Sequence, residues 1–156
     1  MPVLFAFREM TDEEYKKEQE AFDTHGLEFG NPPEKQERFG FVAHDDGEFV
    51  GASSGLAQKN TDTYGDYFYL SDLLVEKTYR KQGYGKKLLE LLEEKVKVLG
   101  ITYIWTWTAS YEAEAFYQKL GYEVFVRFEN YYPSGHSRVG MIKKLVDLYP
   151  EPQEAV

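Results

Sequence analysis

The stretch "LLVEKTYRKQGYGKKLL", residues 73–89, decides the fold. It leaves a strand, crosses a basic turn holding two glycines, and re-enters order as a helix. Upstream, "YFYLSDLLV" (67–75) is almost continuously apolar, the pattern of a central strand covered on both faces. Downstream, Leu88, Leu89, Leu92, Val96 and Leu99 recur every three or four residues, marking an amphipathic helix from Gly85 that Gly100 stops. The turn between them collects Arg80, Lys81, Gln82, Gly83, Tyr84, Gly85 and Lys86. A helix start offers unpaired N–H groups and about half a positive charge, and bare glycine lets a diphosphate come close. Two readings stay open on the residues alone: an anion cradle, or a strand-to-helix turn whose glycines only relieve strain. The stretch is neither a Walker loop, lacking G-x-x-x-x-G-K-[ST], nor a dinucleotide fingerprint, lacking the third glycine.

Around this unit the chain reads as one mixed α/β domain. Thr11 to Glu14 form a capping box that predicts a helix through about Phe22, preceded by a short alternating "FAF" (5–7). "RFGFVAH" and "EFVGASSGLAQ", joined at Asp45-Asp46-Gly47, predict a hairpin, and "TDTYGD" closes it before the central strand. "ITYIWTWT" predicts a strand. "SYEAEAFYQKLGY" predicts a helix capped by Ser110 and ended by Gly121. "YEVFVRF" and "VGMIKKLVDL" predict two more strands. The expected architecture is a mixed sheet of about six or seven strands with helices on both faces, a single domain over 1–148, and a frayed tail over 149–156.

Composition narrows the function. The chain has 156 residues, 42% of them hydrophobic and 17% aromatic, enough for one sizeable core and against disorder. With no cysteine it has neither disulfides nor thiolate metal sites. His25, His44 and His136 are scattered, so no metal is expected. A net charge of −9 argues against nucleic acid and anionic membrane as partners, and suits a cationic substrate or simply keeps the protein soluble. No apolar run approaches the eighteen or so residues that cross a bilayer, and the N-terminus lacks a signal-peptide pattern. A cytoplasmic protein is the default expectation.

Two motifs, "LLVEKTYRKQGYGKKLL" and, about thirty residues on, "SYEAEAFYQKLGYEVF", together resemble the GNAT N-acetyltransferase superfamily. "YYPSGHSR" is further similar to a branch of small bacterial members. The family often has Asn where this chain has Ser110. The resemblance implies a GNAT-like fold and acetyl-CoA as acyl donor, with a small-molecule or peptide amine as acceptor. It implies that backbone at Leu73, Leu74 and Val75 pairs with the pantetheine arm, while amides from Lys81 to Lys86 hold the pyrophosphate. Ser110, Ala113, Phe116 and Tyr117 would complete the cofactor site. Tyr117, beside the thioester sulfur, would act as the acid. A tyrosine near pKa 10 protonating a thiolate near 8.5 is uphill by about 2 kcal/mol, which favours hydrogen bonding over full transfer.

Asp72 is the best-placed candidate base, with His136 and Glu112 weaker. Strict alternation separates Asp72 from Tyr67, Tyr69 and Ser71, but a β-bulge nearby would shift that phase. Residues 22–38 and 129–138 are the expected acceptor walls. Aromatic groups there are Phe22, Phe29, Phe39, Tyr131 and Tyr132, and acidic ones are Asp23, Glu28, Glu34 and Glu129. A non-catalytic acyl-CoA-binding module is the alternative, and family habit leaves a homodimer open.

Overall fold

A computed structural model describes residues 2–145 and divides the chain into two compact units, residues 1–34 and 35–156. The proposed tail at 149–156, and the end of the last predicted strand, lie outside the described residues.

In the first unit, helix α1 spans Asp12–Glu28. The capping box is present: the Glu14 amide donates to Thr11 Oγ1 at 3.2 Å and the Thr11 amide to Glu14 Oε2 at 2.8 Å. The helix runs six residues past the expected Phe22, through Gly26, since a glycine inside a helix costs only about 1 kcal/mol. It ends before Gly30, where φ is +79° and Pro32-Pro33 follow two residues on. The expected strand at "FAF" does not form. Three alternating residues supply no partner ladder, and side chains next to them turn back on α1 instead: Arg8 Nη2 reaches Glu14 Oε1 at 2.7 Å, and Tyr15 donates to Glu9.

The second unit is one six-stranded sheet with order β1-β2-β3-β4-β6-β5. Strands β1 (Lys35–Asp45), β2 (Glu48–Asn60) and β3 (Thr63–Val75) form an antiparallel meander, its first turn at Asp46-Gly47 as expected. "TDTYGD" does not close this unit; it supplies the second turn and the start of β3. Asn60 pairs with Thr63, and Thr61 takes a positive φ of 47°. A 3₁₀ turn (Lys77–Tyr79) leads to α2 (Tyr84–Val98), then β4 (Tyr103–Ala109), α3 (Glu114–Lys119), β5 (Glu123–Phe128) and β6 (Arg138–Lys144).

The strand pleat sorts side chains onto two faces. One is the core face. Phe68, Leu70, Ile104, Val139 and Met141 are buried there under Leu89, Leu92 and Val96 of α2 and Tyr117 of α3. Each such aliphatic contributes about 2 kcal/mol by burial. The other face carries Tyr67, Tyr69, Trp105, Trp107 and Phe125, linked by ring contacts such as Tyr69 on Trp105 at 4.5 Å. No described helix is long and apolar enough to cross a membrane.

Candidate active site

The two central strands pair over only part of their length. Parallel pairing of β3 with β4 runs from Tyr67 opposite Tyr103 to Leu70 opposite Thr106 and stops. Residues 71–75 continue beside β2 alone, so their backbone edge toward β4 has no strand partner. At the last paired position Thr106 Oγ1 donates to the buried Leu70 carbonyl at 2.8 Å.

A bulge causes the departure. β2–β3 register shifts between Ser54 and Gly55, so Leu70 faces Gly55 while Asp72 faces Ser54, and Ser71 is the extra residue. Gly55 fits this spot because a Cβ there would lie 2.2 Å from the Tyr69 carbonyl oxygen and 2.4 Å from the Phe68 ring. The bulge inverts the pleat: Phe68 and Leu70 point into the core before it, Leu73 and Val75 after it. Asp72 and Leu74 therefore turn outward, onto the face of Tyr67 and Tyr69, opposite to strict alternation.

Asp72 is engaged there. Arg38 Nη1 lies 3.3 Å and Ser71 Oγ 2.6 Å from Asp72 Oδ2, and Arg38 also donates to Ser71 Oγ at 2.7 Å. Both contacts fall on Oδ2. Among the described residues Oδ1 has no hydrogen-bond partner.

Beyond Val75 the chain turns into α2. Arg80 Nε donates to the Val75 carbonyl at 2.9 Å, which anchors the guanidinium at the strand end; among the described residues its Nη groups have no hydrogen-bond partner. The first backbone bond of the helix is from the Lys87 amide to the Gly83 carbonyl at 3.0 Å. Among the described residues the amides of Lys81, Gln82, Gly83, Tyr84, Gly85 and Lys86 meet no protein acceptor. Lys81 and Gly83 both have positive φ, 63° and 86°, the alternation that turns successive N–H groups toward one point. Gly83 has nothing within 4 Å of where a Cβ would stand. At Gly85 that position would lie 3.6 Å from Val75 and 3.8 Å from Phe116, so strand end, helix start and α3 converge. These six amides and the open β3 edge fit a diphosphate with an extended amide-bearing arm.

Tyr117 is 5% exposed and packs in the core cluster with Leu70, the last β3 residue paired to β4. Burial pushes its phenol up to about 12. The neighbouring Thr106 hydroxyl works against that shift, and the Glu112 charge adds to it. Ala113 precedes α3 and accepts the Tyr117 amide at 3.0 Å. Ser110 does not cap this helix, which starts four residues later. Ser110 and Ser137 bond reciprocally, amide to carbonyl at 2.9 Å and Ser137 amide to Ser110 Oγ at 3.0 Å, tying the end of β4 to the β5–β6 loop. A tertiary donor, the Ser137 amide, outcompetes the local cap.

Other expected groups scatter. Phe39 packs toward the core against Phe68 at 5.1 Å and lines no outer wall. His136 Nδ1 sits 2.8 Å from Ser134 Oγ with its ring edge on Tyr111, while Tyr131 and Tyr132 pack on each other. Among the described residues no group of three His, Cys, Asp or Glu could hold a metal.

One group went unread in the sequence. Arg138, at the start of β6, lies over the Trp107 ring at 4.9 Å and the Tyr131 ring at 5.3 Å, and donates from Nη1 to the Tyr131 hydroxyl at 3.0 Å. Only its place beside two aromatic stretches hinted at this.

Comparison with known proteins agrees with this fold. The sequence profile of the Acetyltransferase (GNAT) family matches residues 4–122. An acetyltransferase from Bacillus cereus superposes with a TM-score of 0.73 at 23% identity, over 90% of this chain and 98% of that one. An aminoglycoside 6'-N-acetyltransferase complexed with coenzyme A gives 0.59 at 25%, over 83% and 81%. The ribosomal-protein-S18-alanine N-acetyltransferase of Escherichia coli gives 0.58 at 21%, over 83% and 80%. No curated protein matches the sequence.

Proposed function

We propose that this chain, which belongs to the GNAT acetyltransferase family, moves an acetyl group from acetyl-CoA to a primary amine in a single ternary complex. The observation that carries this reading is the row of unpaired amides from Lys81 to Lys86, which follows an open β3 edge and meets, at Gly85, Phe116 of the helix that bears the buried Tyr117 phenol. Bound acetyl-CoA would supply the acyl group as an activated thioester. The amides of Lys81, Gln82, Gly83, Tyr84, Gly85 and Lys86 would hold its pyrophosphate, with Lys81 and Lys86 adding charge. The backbone of Leu73, Leu74 and Val75 would align its pantetheine arm, between Ala113, Phe116 and Tyr117.

The chain's own groups then divide the proton work. A lysine-like amine is neutral in only about one molecule per thousand at pH 7, a cost of about 4 kcal/mol. Asp72 stands on the outward side of the bulge and is the acceptor for that proton. Since Arg38 and Ser71 occupy Oδ2, the proton arrives at Oδ1, directly or through a water. Tyr117 serves the departing sulfur. With its phenol at about 12, full transfer to a thiolate near 8.5 is uphill by about 5 kcal/mol, so Tyr117 donates a hydrogen bond and keeps its proton. Ser110, tied to Ser137, positions the loop, and its hydroxyl, which only accepts there, keeps its proton to donate to the cofactor.

Tyr117→Phe tests the assignment. A drop in kcat of about 100-fold is expected, with coenzyme A affinity changed less than threefold. Unchanged kcat would take Tyr117 out of the reaction. The pairing of Asp72 with Arg38 favours one rival, an acyl-CoA-binding module without chemistry. Tight binding of coenzyme A with no thioester turnover across a broad amine panel would establish that rival.

A further inference from the structure

The acceptor's chemistry is open in that reading, and Arg138 speaks to it. In register, Trp107 is the first β4 residue past the last β3–β4 pair, and Arg138 stands opposite Ala109, two residues further along the same face. The guanidinium therefore overhangs the lip of the split, on the outward face that Asp72 shares from the β3 side. The anion cradle belongs to the other side: Gly85 contacts Val75 and Phe116, which pack toward the core. Two cationic features flank one opening from opposite faces.

Arg138 is held, yet not neutralised. Trp107 and Tyr131 hold it through ring contacts, and Trp107 is itself fixed by Phe125 and Phe128. One N–H goes to the Tyr131 hydroxyl. Among the described residues no carboxylate comes within 4.0 Å, although the sequence has 27 acidic against 18 basic side chains. The arginines nearest in character are paired, Arg38 with Asp72 and Arg127 with Glu114. A guanidinium fixed by aromatic rings keeps its planar fork of N–H donors in one orientation, and that fork matches an oxyanion bidentately.

We infer that Arg138 is a specificity-determining residue that binds an oxyanion, a carboxylate or a phosphate, carried on the acceptor beside its amine. The acceptor class is thus a zwitterionic amine such as an amino acid, and a purely cationic substrate, which the net charge of −9 would suit, is disfavoured. This inference rests on the acetyltransferase reading. Electrostatics across the lip agree with it, since Asp72 meets the ammonium end and Arg138 the anionic end of one small molecule.

The test uses the intact protein saturated with coenzyme A and measures calorimetric binding of four probes: α- and ω-amino acids, phosphoethanolamine, the corresponding amino-acid amides, and diamines. Turnover with acetyl-CoA is followed in parallel. The acids should bind at least tenfold tighter than their amides, and Arg138→Gln should erase that difference while leaving coenzyme A affinity within threefold. Arg138→Lys should restore only part of it. Phosphoethanolamine exceeding the amino acids identifies the oxyanion as phosphate, within the inference. Equal binding of acids and amides, or a preference for diamines, overturns it. Loss of coenzyme A binding in Arg138→Gln overturns it too, by moving Arg138 to the cofactor. Failure of the parent reading shows separately, as absent coenzyme A binding by the unaltered protein.

Discussion

Strands β3 and β4 are two halves with opposite fates. From Tyr67 to Leu70, and Tyr103 to Thr106, they pair in register, stack Tyr67 on Tyr103 and Tyr69 on Trp105, and bury Phe68, Leu70 and Ile104. From Ser71 to Val75, and Trp107 to Ala109, the same strands run on with no mutual ladder. The second half is less apolar, five of its eight residues against seven of eight, yet it still carries Leu73, Leu74, Val75 and Trp107. What decides their fates is one extra residue at Ser71, which turns the strand away from its partner and leaves main-chain groups available for a ligand. The candidate site consists of hydrogen bonds that the fold withholds.

The comparison can be broken at its hinge. Gly55→Ala should have the largest effect, because its methyl group meets the Tyr69 carbonyl and the Phe68 ring at distances no real contact shows. Chemical denaturation should register a loss of about 3 kcal/mol. A loss under about 1 kcal/mol would mean that the bulge tolerates a side chain and that glycine is not what sets it.

Thr106→Val comes next. It strips the Leu70 carbonyl of its donor where pairing ends, at a cost of about 1.5 kcal/mol. It also removes the Thr106 hydroxyl that lowers the Tyr117 phenol, so that phenol should titrate higher still. In the unaltered protein the phenol sits at about 12 against an ordinary 10, so the folded state holds this proton more tightly than the unfolded chain. Its contribution to stability is complete below pH 10 and drains away between pH 10 and 12. Buried Tyr122 is also raised and gives both proteins a decline, so a denaturation series across that window should show a steeper decline in the unaltered protein than in Tyr117→Phe. Parallel curves would mean Tyr117 contributes nothing there.

The smallest effect sharpens the open half. A Cβ at Gly85 stands at ordinary contact distance from Val75 and Phe116, so Gly85→Ala should fold with unchanged stability. On the ligand side the methyl group would crowd the anion cradle, and coenzyme A affinity should fall about tenfold, roughly 1.4 kcal/mol. An unchanged affinity would move the pyrophosphate away from Gly85.

Much of this arrangement was legible from residues close together in the chain. The strand–turn–helix at 67–99 and the glycines that end α2 and α3 act within a few positions of where they stand, and so does the Thr11 capping box. Local signals misled where a distant partner competed. Ser110 reads as a helix cap and is claimed by Ser137 instead, from the far loop. "TDTYGD" reads as a loop but becomes strand because β2 offers it a ladder.

By itself, then, the sequence determined the order of the elements from α1 onward, the two motifs that mark the family, and the helix start that leaves six amides without acceptors. Spacing along the chain governs all three. Tertiary structure alone decided that Asp72 faces outward, that β3 and β4 separate after Leu70, and that Arg138 rests on Trp107 and Tyr131. Each of those depends on the register between segments far apart in the chain. A single inserted residue inverts every side chain beyond it, and the packing around Gly55 that sets this insertion cannot be read from any one strand.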